Sequence, residues 1–352
     1  MKQRLLHIDV IRGLCIFTVI YTHVIGFGMS VSYPQTPIHV FLTSFFLIMF
    51  YFISGMMSYR EVMLSNARSL GEYVWKKIRT LFIPSVVVMG VVNFIVEHSL
   101  NTMLSPWNLW VTWFTYVLFL ISIIFSIVIY LSSKFKKKYI QDLFLIMIAG
   151  LSYMLTRKNF ELGQFDIIFR VSSILYYLPY FFLGALCKRN LWILSFLEKQ
   201  KAALFLVTMF TAISFAVDKT PLCVKNILVI FSVYAVTQSF CSEIQNKQKE
   251  DSMMDVFYKK VVNFLSMLGQ NSLEIYFVHF LFLFQLPTAF TEYITSLTSD
   301  TCWWGHSSVS FVEFGVVGSI SILIALVSIF FAKILIQIPF MDTLLFGKSL
   351  HK

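Results

Sequence analysis

Charged residues are scarce in this sequence: Asp, Glu, Lys and Arg together make up 13% of its 352 residues. A soluble globular domain carries about 25%. Apolar and aromatic residues account for 58%, and phenylalanine alone occurs 38 times. The shortage of charge therefore excludes an ordinary soluble domain and predicts a protein that crosses a membrane several times.

Two further patterns are missing. The formal net charge is +10, but the basic residues lie between apolar runs and do not gather in one stripe, which argues against nucleic-acid binding. The five cysteines form no C-x-x-C pair and no Cys/His ligand spacing, so we predict no metal site. Since there is also no clear repeat, long polar loop or removable signal peptide, we expect a single membrane-embedded domain over residues 1–352 without an appended soluble domain.

Long apolar runs dominate what is present. A transmembrane helix needs about 20 predominantly apolar residues, and ten stretches of the chain approach this length. We therefore predict an all-α fold of about ten transmembrane helices. They are placed at residues 10–29, 39–59, 80–97, 108–131, 139–156, 170–187, 202–217, 226–241, 264–287 and 309–337.

The distribution of lysine and arginine predicts the orientation of these helices. Cytoplasmic loops carry an excess of both residues. With both termini in the cytoplasm, only five of the 28 basic residues fall on the outer side, namely Arg157, Lys158, Arg170, Lys219 and Lys225. We therefore expect cytoplasmic N- and C-termini.

The first predicted span, HIDVIRGLCIFTVIYTHV, contains polar side chains that are functional candidates because they are expensive inside a bilayer. At about 100° per residue, Asp9, Arg12 and His23 face one side of the helix, and His23 lies roughly 16 Å deeper than Arg12. A neutral imidazole can take up and return a proton near physiological pH, so His23 is a candidate general base. The alternative is that Arg12, with Asp9 as its partner, anchors the helix at the cytoplasmic interface and that His23 hydrogen-bonds a neighbouring helix.

The ninth predicted span, LGQNSLEIYFVHFLF, contains a second histidine. Ser272, Tyr276 and His279 follow i, i+4, i+7 spacing and project from one helix face, whereas Asn271 and Glu274 point elsewhere. A hydrogen-bonded seam between helices explains this pattern as well as a reactive site does. Two deep histidines on different helices nevertheless favour a site that handles protons.

These residues and several other segments resemble the integral-membrane acyltransferase 3 family of polysaccharide and sugar O-acetyltransferases. The resemblance is carried by Arg-x(10)-His, here Arg12 and His23, preceded by Asp9. It continues in order along nearly the whole chain, through FFLIMFYFISGMM, KKIRTLFIP, LWVTWF, YYLPYFFLGAL and LGQNSLEIYFVH.

The resemblance implies roles for individual residues. His23 is implied as the catalytic base or transient acyl carrier, with Arg12 as an essential partner and Asp9 and His279 beside them. The basic run of Lys76, Lys77 and Arg79 is implied to hold the phosphates of acyl-CoA, although anchoring at the cytoplasmic interface explains it equally well. The acceptor or oxyanion side is expected to involve Tyr276, Ser272, Asn271 and Trp113. Acetyl-CoA is expected as a co-substrate, with no bound cofactor.

We therefore expect a multi-pass protein of the bacterial cytoplasmic membrane. Its predicted reaction is transfer of an acetyl group from cytoplasmic acetyl-CoA to a sugar hydroxyl of a cell-surface polysaccharide or of its lipid-linked precursor. A proton-coupled transporter is the alternative, for which repeat symmetry and broken spans are expected. A non-catalytic membrane interaction protein would need neither deep histidine.

Overall fold

The computed structural model describes residues 5–28, 36–60, 67–97, 111–157, 164–216, 222–246, 252–298 and 307–347, and all regular elements in these ranges are helical. The α-helices are α1 (Leu6–His23), α2 (Pro37–Ser58), α3 (Ala67–Lys77), α4 (Ile83–Glu97), α5 (Trp113–Ser132), α6 (Lys138–Thr156), α7 (Gln164–Phe169), α8 (Val171–Arg189), α9 (Leu191–Leu197), α10 (Gln200–Ala216), α11 (Leu222–Asn246), α12 (Met253–Gln270), α13 (Ser272–Val278), α14 (Thr288–Thr298), α15 (Ser307–Leu335) and α16 (Met341–Phe346). Two π-helical turns, Val24–Gly28 and Ile78–Phe82, and one 3₁₀ turn, His279–Phe282, adjoin them.

The lengths of these helices confirm the all-α, polytopic membrane fold. Within the described ranges, eight helical segments are long and apolar enough to cross a bilayer. They are Leu6–Gly28, Ile38–Ser58, Arg68–Ile95, Trp113–Ser132, Lys138–Thr156, Val171–Arg189, Leu222–Asn246 and Phe311–Leu335. The remaining two predicted spans, at 202–217 and 264–287, coincide with shorter apolar helices at Lys201–Phe210 and Ser272–Phe282.

The ninth predicted span is not one continuous helix, because the helix is interrupted at Asn271 between α12 and α13. The Asn271 side-chain amide donates to the carbonyl oxygen of Met267 at 2.7 Å. Asparagine commonly competes in this way with the helical hydrogen-bond ladder. Hydropathy does not register such a break, since the residues on both sides remain apolar.

The chain divides into two compact units. Unit 1 comprises Met1–Met49 and Phe196–Lys333, and unit 2 comprises Phe50–Ser195 and Ile334–Lys352. Helices α1 and α10–α14 belong to unit 1, whereas α3–α8 and α16 belong to unit 2. The remaining helices, α2, α9 and α15, contribute residues to both units.

Unit 1 is built around a close crossing of α1 and α12. A Cβ atom on Gly13 would lie less than 3.0 Å from the carbonyl oxygen of Leu265, and one on Gly269 would lie equally close to that of Asp9. Glycine at both positions therefore lets the two backbones touch. Small residues serve this purpose in membranes, where lipid is as apolar as the helices and close packing must drive their association.

Unit 2 uses the same device between α2 and α8. A Cβ atom on Gly55 would clash with the carbonyl oxygen of Phe181, and one on Gly184 would clash with that of Phe52. At the end of α8, the buried Arg189 forms an ion pair with Asp142 of α6, with Nε 2.7 Å from Oδ1. These contacts fix α2, α6 and α8 within unit 2.

We predict that Gly13→Ala destabilises the protein, because the added methyl group meets backbone atoms that cannot turn aside. Overpacking of this kind costs about 1–3 kcal/mol. The midpoint of thermal unfolding in detergent, followed by tryptophan fluorescence, should fall accordingly. Gly315→Ala in α15 is the matched control, since nothing lies within 4 Å of the added carbon. Equal midpoints for the two variants would contradict the close crossing.

Candidate active site

The two predicted histidines are hydrogen-bonded to each other in unit 1. Nδ1 of His23, the last residue of α1, lies 2.8 Å from Nε2 of His279, the first residue of the 3₁₀ turn. The planes of the two rings differ by 5°, with centroids 5.1 Å apart. Nearly parallel rings at this separation place the shared hydrogen close to both ring planes, where the nitrogen lone pair lies.

The surroundings of His279 determine which nitrogen atoms carry hydrogen. Its Nδ1 lies 2.7 Å from the carbonyl oxygen of Tyr276 and 3.1 Å from that of Ile275. Carbonyl oxygens only accept, so Nδ1 of His279 must be the donor. In the neutral ring, Nε2 of His279 is then an acceptor, and Nδ1 of His23 donates to it.

This arrangement leaves Nε2 of a neutral His23 as an unprotonated, basic nitrogen. His279 is fully buried, whereas His23 is half-buried. His279 thus holds the His23 ring in one tautomer and one orientation, as a buried carboxylate does in serine hydrolases. A hydroxyl group that reaches Nε2 of His23 would meet a positioned general base.

The chain changes its geometry immediately after each histidine. The π-helical turn Val24–Gly28 follows His23, and π-helical turns occur frequently at functional sites. The carbonyl oxygen of Gly28 accepts from the backbone N–H of Leu286 at 2.7 Å, which ties this turn to the segment after the 3₁₀ turn. A second hydrogen bond therefore holds the two histidine-bearing segments together beyond the His23–His279 bond.

Aromatic rings flank the imidazole of His23. The ring of Phe27 lies 5.7 Å from it and that of Phe280 lies 4.8 Å from it, measured between centroids. Phe27 and Phe280 are themselves 6.1 Å apart with an interplanar angle of 76°. Neither residue was predicted from the sequence, although Phe27 stands four positions after His23 and Phe280 directly follows His279.

Arg12 lies on the same helix, about 16 Å from His23 along the axis. Nη2 of Arg12 donates to Oγ of Ser272 at 2.9 Å, and Ser272 is 4% exposed. The structure thus joins α1 to α13 at Arg12–Ser272 and α1 to the following 3₁₀ turn at His23–His279. Asp9 is also buried, and its backbone carbonyl lies at the α1–α12 crossing.

Two other predicted residues of the ninth span have different positions. Tyr276 is buried, and its ring centroid lies 6.0 Å from that of His279. Asn271 uses its side-chain amide at the break between α12 and α13, where it bonds to the carbonyl oxygen of Met267. Tyr276 therefore stays close to the histidine pair, whereas Asn271 serves the break in the helix.

The basic segment and Trp113 belong to unit 2. Lys76 is exposed, Lys77 is half-buried with Nζ 5.3 Å from the centroid of Tyr73, and Arg79 lies in the second π-helical turn. Trp113 begins α5 and packs against Tyr177, with ring centroids 6.1 Å apart. Trp110 of the LWVTWF segment lies outside the described residues.

Another polar contact of α1 was also not predicted. The hydroxyl of Tyr21 donates to Oε1 of Glu313 at 2.6 Å, and both residues are fully buried. Tyr21 precedes His23 by two positions, so its side chain leaves α1 in a different direction. Glu313 could have been found from the sequence, because it is an acidic residue inside the last predicted span.

We predict that both His23 and His279 carry their hydrogen on Nδ1 when neutral. Long-range proton–nitrogen correlation spectra of the protein labelled with ¹⁵N-histidine, in lipid nanodiscs, distinguish the two tautomers. His23→Gln and His279→Gln spectra assign the signals, and His279→Ala is expected to let His23 adopt both tautomers. A His23 ring that is protonated on Nε2 in the unaltered protein would contradict the assignment.

Comparison with known proteins places the chain in a family. A search of curated proteins and a search of solved structures each gave no significant match. The profile described as an acyltransferase domain, however, matches residues 5–333, nearly the whole chain. The matched stretch contains the histidine pair, Arg12, the basic segment and Trp113. The chain therefore belongs to the acyltransferase 3 family, as its sequence motifs imply, and is a membrane acyltransferase.

Proposed function

We propose that this acyltransferase is an O-acetyltransferase that moves an acetyl group from cytoplasmic acetyl-CoA to a sugar hydroxyl. The acceptor is a cell-surface polysaccharide or its lipid-linked precursor, and the enzyme resides in the bacterial cytoplasmic membrane. The observation that carries the proposal is the His23–His279 hydrogen bond, which prepares Nε2 of His23 to accept a proton. Acyl transfer to a hydroxyl group needs such a base, because a neutral hydroxyl is a weak nucleophile.

In the proposed reaction, the acceptor hydroxyl donates its proton to Nε2 of His23 as its oxygen attacks the thioester carbonyl. The resulting imidazolium keeps its Nδ1–H bond to His279, whose Nδ1 points to backbone carbonyls. When the tetrahedral intermediate collapses, the C–S bond breaks and the CoA thiolate takes the proton from His23. If His23 acted as an acyl carrier, its Nε2 would instead attack the thioester carbonyl carbon.

Negative charge on the carbonyl oxygen must be stabilised during this step. Both nitrogens of His279 are engaged, one by His23 and one by backbone carbonyls. We therefore assign the oxyanion role to the hydroxyl of Tyr276, a buried residue whose ring centroid lies 6.0 Å from that of His279.

Arg12 suits an interaction with the anionic part of the donor. It lies about 16 Å from His23 along α1, on the same face, and its guanidinium is oriented by Ser272. In acetyl-CoA a long pantetheine arm separates the phosphates from the thioester. With the thioester at His23, the phosphates of the donor would therefore lie at a distance from the base, where the Arg12 guanidinium could bind them.

We predict that removing charge from the basic run of Lys76, Lys77 and Arg79 weakens donor binding. Lys76→Gln/Lys77→Gln should raise the KM for acetyl-CoA several-fold while kcat stays unchanged, because phosphate contacts bind ground state and transition state equally. Radiolabelled acetyl-CoA turnover by protein in nanodiscs, with the host's envelope glycan as acceptor, measures both constants. Lys136→Gln/Lys137→Gln, an equal loss of charge in another predicted cytoplasmic loop, is the control. Equal effects of the two pairs would indicate only general electrostatics.

The function itself is tested in the host. Deletion of the gene should remove one O-acetyl signal from the NMR spectrum of the surface polysaccharide, and the intact protein should restore it. His23→Ala should fail to restore the signal at a normal amount of protein in the membrane. Thr22→Ala should restore it, since that neighbouring hydroxyl bonds to Val19 of its own helix. An unchanged spectrum after deletion would exclude a surface glycan as the acceptor in that host.

A proton-coupled transporter remains the second candidate, and the break at Asn271 is the observation that favours it. The family match favours the enzyme. Acetyl-CoA turnover by purified protein in nanodiscs would support acyl transfer. Proton-coupled solute flux in liposomes without turnover would support transport.

A further inference from the structure

The surroundings of the proposed base are aromatic. Among its described ring neighbours, His23 contacts Phe27, Phe280 and its partner His279. The phenylalanine rings meet at 76° and so form two walls of a corner, with the imidazole beside both. A hydroxyl that is bound at hydrogen-bond distance from His23 belongs to a molecule close to these two rings.

One wall of this corner is partly exposed. Phe27 is 43% exposed, whereas Phe17 and Tyr21, earlier on the same helix, are 8% and 0% exposed. The position of Phe27 depends on the π-helical turn, which is anchored by the Gly28–Leu286 hydrogen bond. Beside Phe27, a Cβ atom on Gly26 would have no neighbour within 4 Å, so the chain leaves open space at this turn.

We propose that Phe27 and Phe280 form the acceptor subsite and bind the apolar face of a pyranose ring. A pyranose has polar hydroxyl groups around its edge and C–H groups on its faces, and those faces stack on aromatic rings. Stacking against one wall directs an edge hydroxyl towards Nε2 of His23. Recognition by ring faces selects a sugar ring in preference to an open-chain polyol, which has no flat apolar face.

This subsite deepens the proposed function and rests on it, since it defines which hydroxyl compounds reach the base. The two phenylalanines act as specificity-determining residues and carry no proton. Their loss should therefore raise the KM for a sugar acceptor several-fold, with little change in kcat or in the KM for acetyl-CoA.

Binding can be measured without turnover. The protein in nanodiscs is mixed with methyl β-D-glucopyranoside, methyl β-D-galactopyranoside or methyl α-L-rhamnopyranoside, and saturation-transfer NMR records contacts to the ring C–H protons. Empty nanodiscs supply the background. We expect a signal for at least one glycoside, reduced several-fold in Phe27→Leu and Phe280→Leu and retained in Phe27→Tyr, which keeps the aromatic ring.

Three controls distinguish stacking of a sugar ring from general apolar contact. Phe284→Leu removes another exposed phenylalanine, 54% accessible, from the segment after the 3₁₀ turn and should leave the signal unchanged. Glycerol and 1-octanol represent an open-chain polyol and a lipid alcohol. A stronger phenylalanine-dependent signal for either of them, no glycoside signal at all, or equal signals in Phe27→Leu and the unaltered protein would overturn the proposal.

The same samples distinguish its failure from failure of the proposed function. His23→Gln should retain the glycoside signal and lose acetyl-CoA turnover. Phenylalanine-dependent glycoside binding without turnover in the unaltered protein would uphold the subsite and reject O-acetyl transfer. Turnover with a sugar acceptor that is insensitive to Phe27→Leu would uphold O-acetyl transfer and reject the subsite.

Discussion

The close contact of α1 and α12 at Gly13 and Gly269 is the constraint on which the site depends. It fixes the register of α1 against the chain that continues into α13 and the 3₁₀ turn. A shift of one residue along α1 would move its side chains by about 1.5 Å and turn them by about 100°. Both the Arg12–Ser272 and His23–His279 bonds would then be lost, so backbone contact at one end determines side-chain chemistry at the other.

The choice of a second histidine to orient the first suits a membrane interior. A buried carboxylate in that position would carry a charge, which is costly where water is absent. A neutral imidazole that donates to backbone carbonyls fixes the same tautomer without that charge. The buried carboxylate of Glu313 instead accepts a hydrogen bond from the hydroxyl of Tyr21, two positions before His23 on α1.

Much of the fold and part of the site could be predicted from the sequence. Hydropathy identified the helical membrane fold. Helical periodicity placed Arg12 and His23 on one face of the first predicted span, and Ser272 and His279 on one face of the ninth. Periodicity describes one helix at a time, so it could not show that these faces meet. The break at Asn271 and the π-helical turn after His23 depend on local hydrogen bonds within apolar segments, which composition does not reveal. The proposed role of Phe27 depends on that turn.

The π-helical turn carries Phe27 outside α1, the helix whose register α12 fixes. Insertion or deletion of one residue within Val24–Gly28 would rotate the following side chains about the helix axis, while the residues up to His23 keep their register against α12. Phe27 would then face another direction without disturbing the histidine pair. A length change in this turn would therefore alter the proposed acceptor subsite and leave the His23–His279 hydrogen bond in place.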